Sequence, residues 1–156
     1  MNRVCCVRYL YYILWGIYLV ALGWVLFFIH TPSFVRTSLR LQDVSPQWVP
    51  FRSILHYLTA DVSADNVYLF FSNVVGNILL FVPWGWLAAG TWGGRRRGRY
   101  VGGSALLAST AAELLQYTLR RGVLDVDDVL LNTVGALLGY QLWVRGKEWA
   151  AVRFKG

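Results

Sequence analysis

The sequence predicts an all-α membrane protein with four transmembrane helices, and two observations lead to this fold class. First, 56% of the 156 residues are hydrophobic and only 15% are charged, whereas typical soluble domains have roughly 25% charged residues. Second, the apolar residues are gathered into four long runs, each near the ~20 residues of helix that cross the hydrocarbon of a bilayer. Alternating barrel strands do not fit such runs, so helices are predicted.

The four apolar runs define the predicted spans. In chain order, they are residues 9–29, 67–92, 100–119 and 126–144. The third span is notable because it contains a carboxylate, Glu113, together with Gln116. The length of the chain allows one domain, so we expect residues 1–156 to form a single membrane domain.

The long connection between the first two spans, residues 30–66, contains three of the four prolines. Inside it, Trp48, Phe51, Leu55 and Leu58 mark a short apolar segment. This segment is too short to cross a bilayer, and amphipathic segments of this kind lie in the membrane interface. We therefore expect a short interfacial element in this connection.

The basic residues predict the orientation. If the amino terminus is cytoplasmic, ten of the fifteen Lys and Arg residues fall on the cytoplasmic side, as the positive-inside rule requires. Both termini are then cytoplasmic, and residues 30–66 are extracytoplasmic. The net charge is +7, and the sharpest basic cluster is residues 93–99, which anionic lipid head groups explain. A nucleic-acid partner is therefore not expected, and the sequence does not indicate an oligomeric state.

Polar side chains recur at the outer ends of three predicted helices. Glu113 and Gln116 share one face of the third helix, because residues three apart are neighbours on a helix surface. The second and fourth helices carry asparagines and aspartates at a similar depth. These positions predict an outer-leaflet pocket with the following ligand-binding residues: Asn73, Asn77, Glu113, Gln116, Arg120, Arg121, Asp128 and Asn132.

Several of these residues also have a structural interpretation. Asp125 or Asp127 would cap the start of the fourth helix, the asparagines would form hydrogen bonds between helices, and the arginines would pair with the aspartates or reach lipid phosphates. Glu113 is different, because a charged side chain at mid-membrane costs roughly 2.5–3.5 kcal/mol. We therefore expect Glu113 to belong to a functional site.

Three motifs together resemble those of the VanZ-like family of small bacterial integral membrane proteins. They are the string NVVGNILLFVPWG at residues 73–85, the Glu113-x-x-Gln116 pair, and Arg121 followed by DVDDVLLNTVGALLGY at residues 125–140. The resemblance covers about residues 10–145. It implies a multi-pass protein of the bacterial plasma membrane with a role in the cell envelope. The namesake of the family is associated with low-level resistance to the glycopeptide teicoplanin.

The first of two functional hypotheses is binding. The pocket would hold a cell-envelope lipid or a lipid-linked wall precursor, with Arg120 and Arg121 facing phosphate and the remaining polar residues orienting sugar, amide or amine groups. Glycopeptide susceptibility would change if the presentation of the antibiotic's target changed. This hypothesis requires no cofactor.

The second hypothesis is a membrane-embedded transferase or hydrolase that acts on a lipid-linked envelope substrate. The candidate catalytic residues are Glu113, Asp125, Asp127 and Asp128. The three aspartates would hold a divalent cation through oxygen ligands, or the carboxylates would act as general acid and base without a metal. We favour binding over catalysis, because aspartates at a helix start already have a structural use and no serine–histidine arrangement is evident.

Overall fold

The computed structural model describes residues 3–29, 45–59, 61, 63–92 and 97–153. Apart from one isolated bridge, the regular structure of these residues is helical, which confirms the all-α class. The helices are α1 (Arg3–Trp24), α2 (Arg52–Thr59), α3 (Ala64–Phe70), α4 (Gly76–Thr91), α5 (Arg97–Thr118) and α6 (Val126–Arg153). Two π-helical turns, Val25–Ile29 and Phe71–Val75, follow α1 and α3 directly.

Each predicted span contains a helix, although several bounds differ. Residues 64–66, predicted as loop, belong to α3, and α6 continues to Arg153, past residue 144. The reason is that hydropathy marks where a helix leaves the membrane, whereas Lys, Glu and Ala beyond that point still favour helix. Parts of the predicted loops, residues 30–44 and 93–96, lie outside the described residues.

Within the residues that the structure describes, two helical segments are long and apolar enough to cross a membrane. They are Arg8–Phe28, in α1, and Ala64–Thr91, which comprises α3, the second π-helical turn and α4. α5 and α6 have 22 and 28 residues, lengths that also suffice to span the hydrocarbon, but they carry more polar side chains. Pro83 lies inside α4 without ending it.

The backbones of α4 and α6 touch at three glycines. A Cβ atom added to Gly85 would lie 1.7 Å from a carbonyl oxygen of α6, and one added to Gly135 or Gly139 would lie 2.1 or 2.0 Å from a carbonyl oxygen of α4. Small residues permit this close approach between membrane helices. α6 also packs against α5, and α4 contacts α5 directly, so the polar residues of all three helices meet.

α1 packs on the outside of α4 through aromatic side chains. The Tyr18 hydroxyl donates a hydrogen bond of 2.9 Å to the Leu80 carbonyl, and the rings of Trp15 and Trp84 meet edge to face with centroids 5.1 Å apart. This contact brings the carboxyl end of α1 next to the end of α5.

The predicted interfacial element contains α2. This helix has eight residues and none of them is buried. Phe51, Leu55 and Leu58 expose more than half of their surface, so the apolar side of α2 faces away from the bundle.

Candidate functional site

The α5–α6 hairpin positions Glu113 against the start of α6. α5 ends in a Schellman motif: Arg120 has a φ of 53°, its N–H donates to the Tyr117 carbonyl, and the Arg121 N–H donates to the Gln116 carbonyl at 2.7 Å. This turn reverses the chain within a few residues. The backbone N–H of Asp125 then donates to Glu113 Oε2 at 3.2 Å.

Asp125 caps α6, as one structural interpretation of the sequence expects. Its Oδ1 accepts the N–H of Asp127 at 2.8 Å, the pattern of a carboxylate at a helix amino terminus. Its Oδ2 accepts the Ser53 hydroxyl at 2.5 Å. The carboxylate therefore joins the start of α6 to the start of α2.

Asp127 binds the amino terminus of α2. This buried carboxylate accepts backbone N–H groups of Phe51 at 2.5 Å, Ser53 at 2.9 Å and Ile54 at 3.2 Å. Helix amino termini favour such anions because their first N–H groups lack partners within the helix. Phe51 has a φ of 65°, a conformation that is costly for a bulky side chain and that precedes the first turn of α2.

Two further contacts hold α2 over the hairpin. The backbone of Gln47 pairs with both sides of Asp125, accepting the Val126 N–H at 3.2 Å and donating to Leu124 at 2.8 Å. In α2, burial raises the pKa of the Tyr57 hydroxyl, and the charges of Asp128 and Asp125 raise that pKa further. The segment around α2 therefore covers the acidic residues.

Beneath this cover lies a buried polar cluster formed by α4, α5 and α6. Asn77 of α4 donates to Asp128 Oδ1 at 2.5 Å. One turn along α6, Asn132 donates to Ser109 Oγ at 2.7 Å, and Ser109 lies one turn along α5 from Glu113. Glu113 is 6% exposed and Asn132 is 2% exposed. We call Asn77, Ser109, Glu113, Asp128 and Asn132 the polar cluster.

One atom of the polar cluster has no partner. Asn132 Oδ1 is buried and accepts no hydrogen bond within the described structure. A buried acceptor without a donor costs about 1–3 kcal/mol, and such groups are few in native proteins. Among the described residues, the cluster therefore holds one buried acceptor that is free to bind a donor.

The other predicted ligand-binding residues lie at the edge of the cluster or outside it. Gln116 donates to the Leu26 carbonyl at 2.8 Å, and Arg121 donates to the Phe27 carbonyl at 3.2 Å, so both satisfy carbonyls at the carboxyl end of the first span. The Asn73 amide bonds to the carbonyl of Leu69 within its own helical segment. The Arg120 and Arg121 side chains are exposed.

The structure brings together some of the predicted ligand-binding residues and adds others to the cluster and its cover. Asn77, Glu113, Asp128 and Asn132 are brought together. Ser109 was missed, although its position four residues before Glu113 places it on the same helix face. Ser53 and Tyr57 were also missed, because nothing in the sequence shows that α2 packs on the hairpin.

The arrangement bears on the metal hypothesis. The oxygens of Asp125 and Asp127 accept hydrogen bonds from protein groups. Over the ranges that the structure describes, no group of three or more His, Cys, Asp or Glu side chains is arranged to hold a metal ion. Metal ligation by Asp125, Asp127 and Asp128 stays a prediction.

Comparison with known proteins gives a family. The VanZ/LLP1 family model matches residues 15–147, a range that contains most of the first membrane-length segment, all of the second and the whole polar cluster. No curated protein and no solved structure matches the chain. Together, the family match and the two apolar helices indicate a membrane protein. Because the family model matches most of its length, the chain belongs to the VanZ/LLP1 family.

Proposed function

We propose that this protein binds the head group of a cell-envelope lipid or lipid-linked wall precursor in its polar cluster. In this proposal the chain spans the bacterial plasma membrane four times, with both termini in the cytoplasm and the cluster in the outer leaflet. By holding such a lipid, the protein would alter the presentation of wall precursors and thereby the susceptibility to glycopeptides of the teicoplanin type.

The observation that carries the proposal is the surplus of acceptors in the cluster. Asn132 Oδ1 is buried without a partner, and it lies on α6 one turn from Asp128, whose Oδ1 is bonded to Asn77. Glu113 adds a second carboxylate. A surplus of acceptor oxygens in such a cluster selects a ligand that donates hydrogen bonds, such as an amine, a sugar hydroxyl or an amide N–H.

The arginines next to the cluster suit the phosphate of the same ligand. Arg120 and Arg121 are exposed at the turn that follows α5. Arg121 uses one N–H group on the Phe27 carbonyl, which leaves other guanidinium donors for a phosphate. A suitable ligand would place its phosphate at the exposed arginines and would donate hydrogen bonds from its head group to the polar cluster.

The exposed side of α2 supports placement at a membrane surface. Phe51, Leu55 and Leu58 point away from the bundle, while the amino terminus of the same helix is bound to Asp127. Apolar side chains in this position insert into the region between head groups and acyl chains. α2 would then hold the cluster at head-group depth.

The experiment is to identify the lipids that copurify with the wild-type protein by native mass spectrometry and to compare them with those of Glu113→Gln. Glutamine keeps an oxygen that accepts the Asp125 N–H, so the hairpin is preserved while the carboxyl group is lost. We expect a lipid with a donor-rich head group to be retained by the wild type and lost, or reduced at least tenfold, in the variant.

Asn73→Ala is the matched control, because the Asn73 amide bonds within its own helical segment. Its lipid retention should equal that of the wild type. Arg120→Ala should weaken retention of phosphate-bearing lipids only. Equal lipid retention by the wild type, Glu113→Gln and Asn73→Ala, with all three folded by thermal unfolding, would refute the proposal.

A further inference from the structure

We propose a second lipid site at the opposite end of the bundle, where Arg97, Trp143 and Lys147 bind the phosphate of an anionic phospholipid. The guanidinium carbon of Arg97 lies 4.5 Å from the centre of the Trp143 ring, and Lys147 Nζ lies 4.8 Å from the same centre. Arg97 comes from α5 and the other two residues from α6. Two cations from different helices therefore share one indole ring.

The packing of the two helices fixes this arrangement. Gly98 follows Arg97 and lies against α6, where an added Cβ would be 3.1 Å from the Tyr140 ring. The absence of a side chain lets the first turn of α5 approach α6 closely. Arg97 is consequently held over Trp143, which precedes Lys147 by one helical turn. The site is formed by packed helix surfaces, so its two cations are positioned before any ligand binds.

The positive charge here is not balanced by the segments that carry it. Arg97 and Arg99 on α5 and the last nine residues of α6 together hold five cations, and the carboxylate of Glu148 is the single acidic group in these two segments. Moreover, Arg97 Nε is buried and has no hydrogen-bond partner within the described structure. Neutralisation must therefore come from an anion outside these segments.

The surroundings identify that anion as a phospholipid. Leu142 directly precedes Trp143 on α6 and Leu138 lies one turn before Leu142; these two leucines expose 58% and 47% of their surface. Exposed apolar side chains next to cations and an indole are typical of the membrane interface, where Trp lies at head-group level. The cations would meet the phosphate while the acyl chains lie along the exposed leucines. In the proposed topology this is the cytoplasmic leaflet, whose anionic lipids attract basic segments.

This site is independent of the polar cluster, because it takes a different ligand at the other end of α5 and α6. The test is the affinity of the full-length protein for phosphatidylglycerol, titrated in detergent and read by native mass spectrometry. Phosphatidylcholine and inorganic phosphate form separate arms. We expect the double substitution Arg97→Gln/Lys147→Gln to reduce the affinity for phosphatidylglycerol at least tenfold, and inorganic phosphate at equal concentration not to compete.

Arg153→Gln is the matched control. Arg153 also lies over an indole, 5.0 Å from the centre of the Trp149 ring, but there a single cation is paired with a residue of its own helix. Its removal should change the affinity less than twofold. If Arg97→Gln disturbs folding, the test uses Lys147→Gln alone, because Lys147 is exposed and its substitution should leave the fold intact. The proposal is overturned if Lys147→Gln binds phosphatidylglycerol as tightly as Arg153→Gln does, or if inorganic phosphate displaces the lipid.

Discussion

Replacing Asp127 with alanine should detach α2 from the hairpin. The Asp127 carboxylate is 1% exposed and accepts three backbone N–H groups from the start of α2. No other side chain is seen to bond to those N–H groups in the described structure. Alanine removes all three acceptors at once, so α2 must release its amino terminus to water.

The magnitude follows from the kind of bond that is lost. A hydrogen bond to a charged group contributes about 1.5–3 kcal/mol. Losing three such bonds with nothing to replace them would therefore cost more than about 4 kcal/mol. Because α2 has no buried residue, it can detach and let its N–H groups bind water, which recovers part of that loss. We expect a decrease of about 3 kcal/mol in the free energy of unfolding, or about 6–12 °C in Tm for a chain of this size.

Asp127→Asn should have a smaller effect for a geometric reason. Oδ2 accepts the N–H groups of Ser53 and Ile54, whereas Oδ1 accepts that of Phe51. An asparagine oxygen can replace Oδ2, but its amide group then points a donor at the Phe51 N–H. We therefore expect Asp127→Asn to lose one to two hydrogen bonds. Its stability should be intermediate between that of the wild type and that of Asp127→Ala.

Hydrogen exchange of residues 51–59 measures the detachment directly. Asp65→Ala serves as the control, because Asp65 is an exposed carboxylate in the first turn of α3 and its loss should cost less than about 1 kcal/mol. Exchange should accelerate in Asp127→Ala and not in Asp65→Ala. Equal exchange and equal Tm for these two variants would refute the reasoning.

Three other predictions concern stability and are measured by thermal unfolding. Gly139→Ala should cost at least about 1–3 kcal/mol, because its Cβ would lie 2.0 Å from a carbonyl oxygen. Gly103→Ala, with open space around it, should stabilise by about 0.5–1 kcal/mol, and equal shifts would contradict the close α4–α6 contact. Arg120→Gly should stabilise by about 1 kcal/mol, because Arg120 has a left-handed φ; a lower Tm would show that its side chain matters more than its backbone. Glu113→Gln should cost less than 1 kcal/mol, whereas Glu113→Leu, which leaves the Asp125 N–H without an acceptor, should cost about 1–3 kcal/mol; similar costs would argue against this bond.

The sequence predicts the helices well where hydropathy and helix formation coincide. Residues 126–144 are both apolar and helical. Beyond residue 144 the chain is no longer apolar, but the helix continues to Arg153 through charged side chains. Periodicity likewise places Glu113, Asp128 and Asn132 at the same end of the bundle, because spacings of three and four residues depend only on helix geometry.

Partners that are distant in the chain could not be predicted in this way. Gln116 has the correct depth for the pocket, but its amide bonds to the Leu26 carbonyl, a backbone group that no residue type reveals. Asp127 likewise bonds to N–H groups at residues 51–54. The local sequence indicates that an aspartate caps the start of α6. It does not show that the neighbouring Asp127 binds the amino terminus of α2, which is distant in the chain.

The Asp125–Asn132 segment explains why fold and proposed function meet in one motif. Successive residues on a helix point about 100° apart, so Asp127 faces α2 while the adjacent Asp128 faces Asn77 on α4. Asn132, one turn further, returns to the interior and bonds to Ser109 on α5. One short segment therefore joins three helices and supplies the cluster with acceptors. Truncating the side chains of this segment would change stability and ligand retention together. Isosteric substitutions in the cluster, such as Glu113→Gln on α5, keep the hydrogen-bonding oxygen and can separate the two.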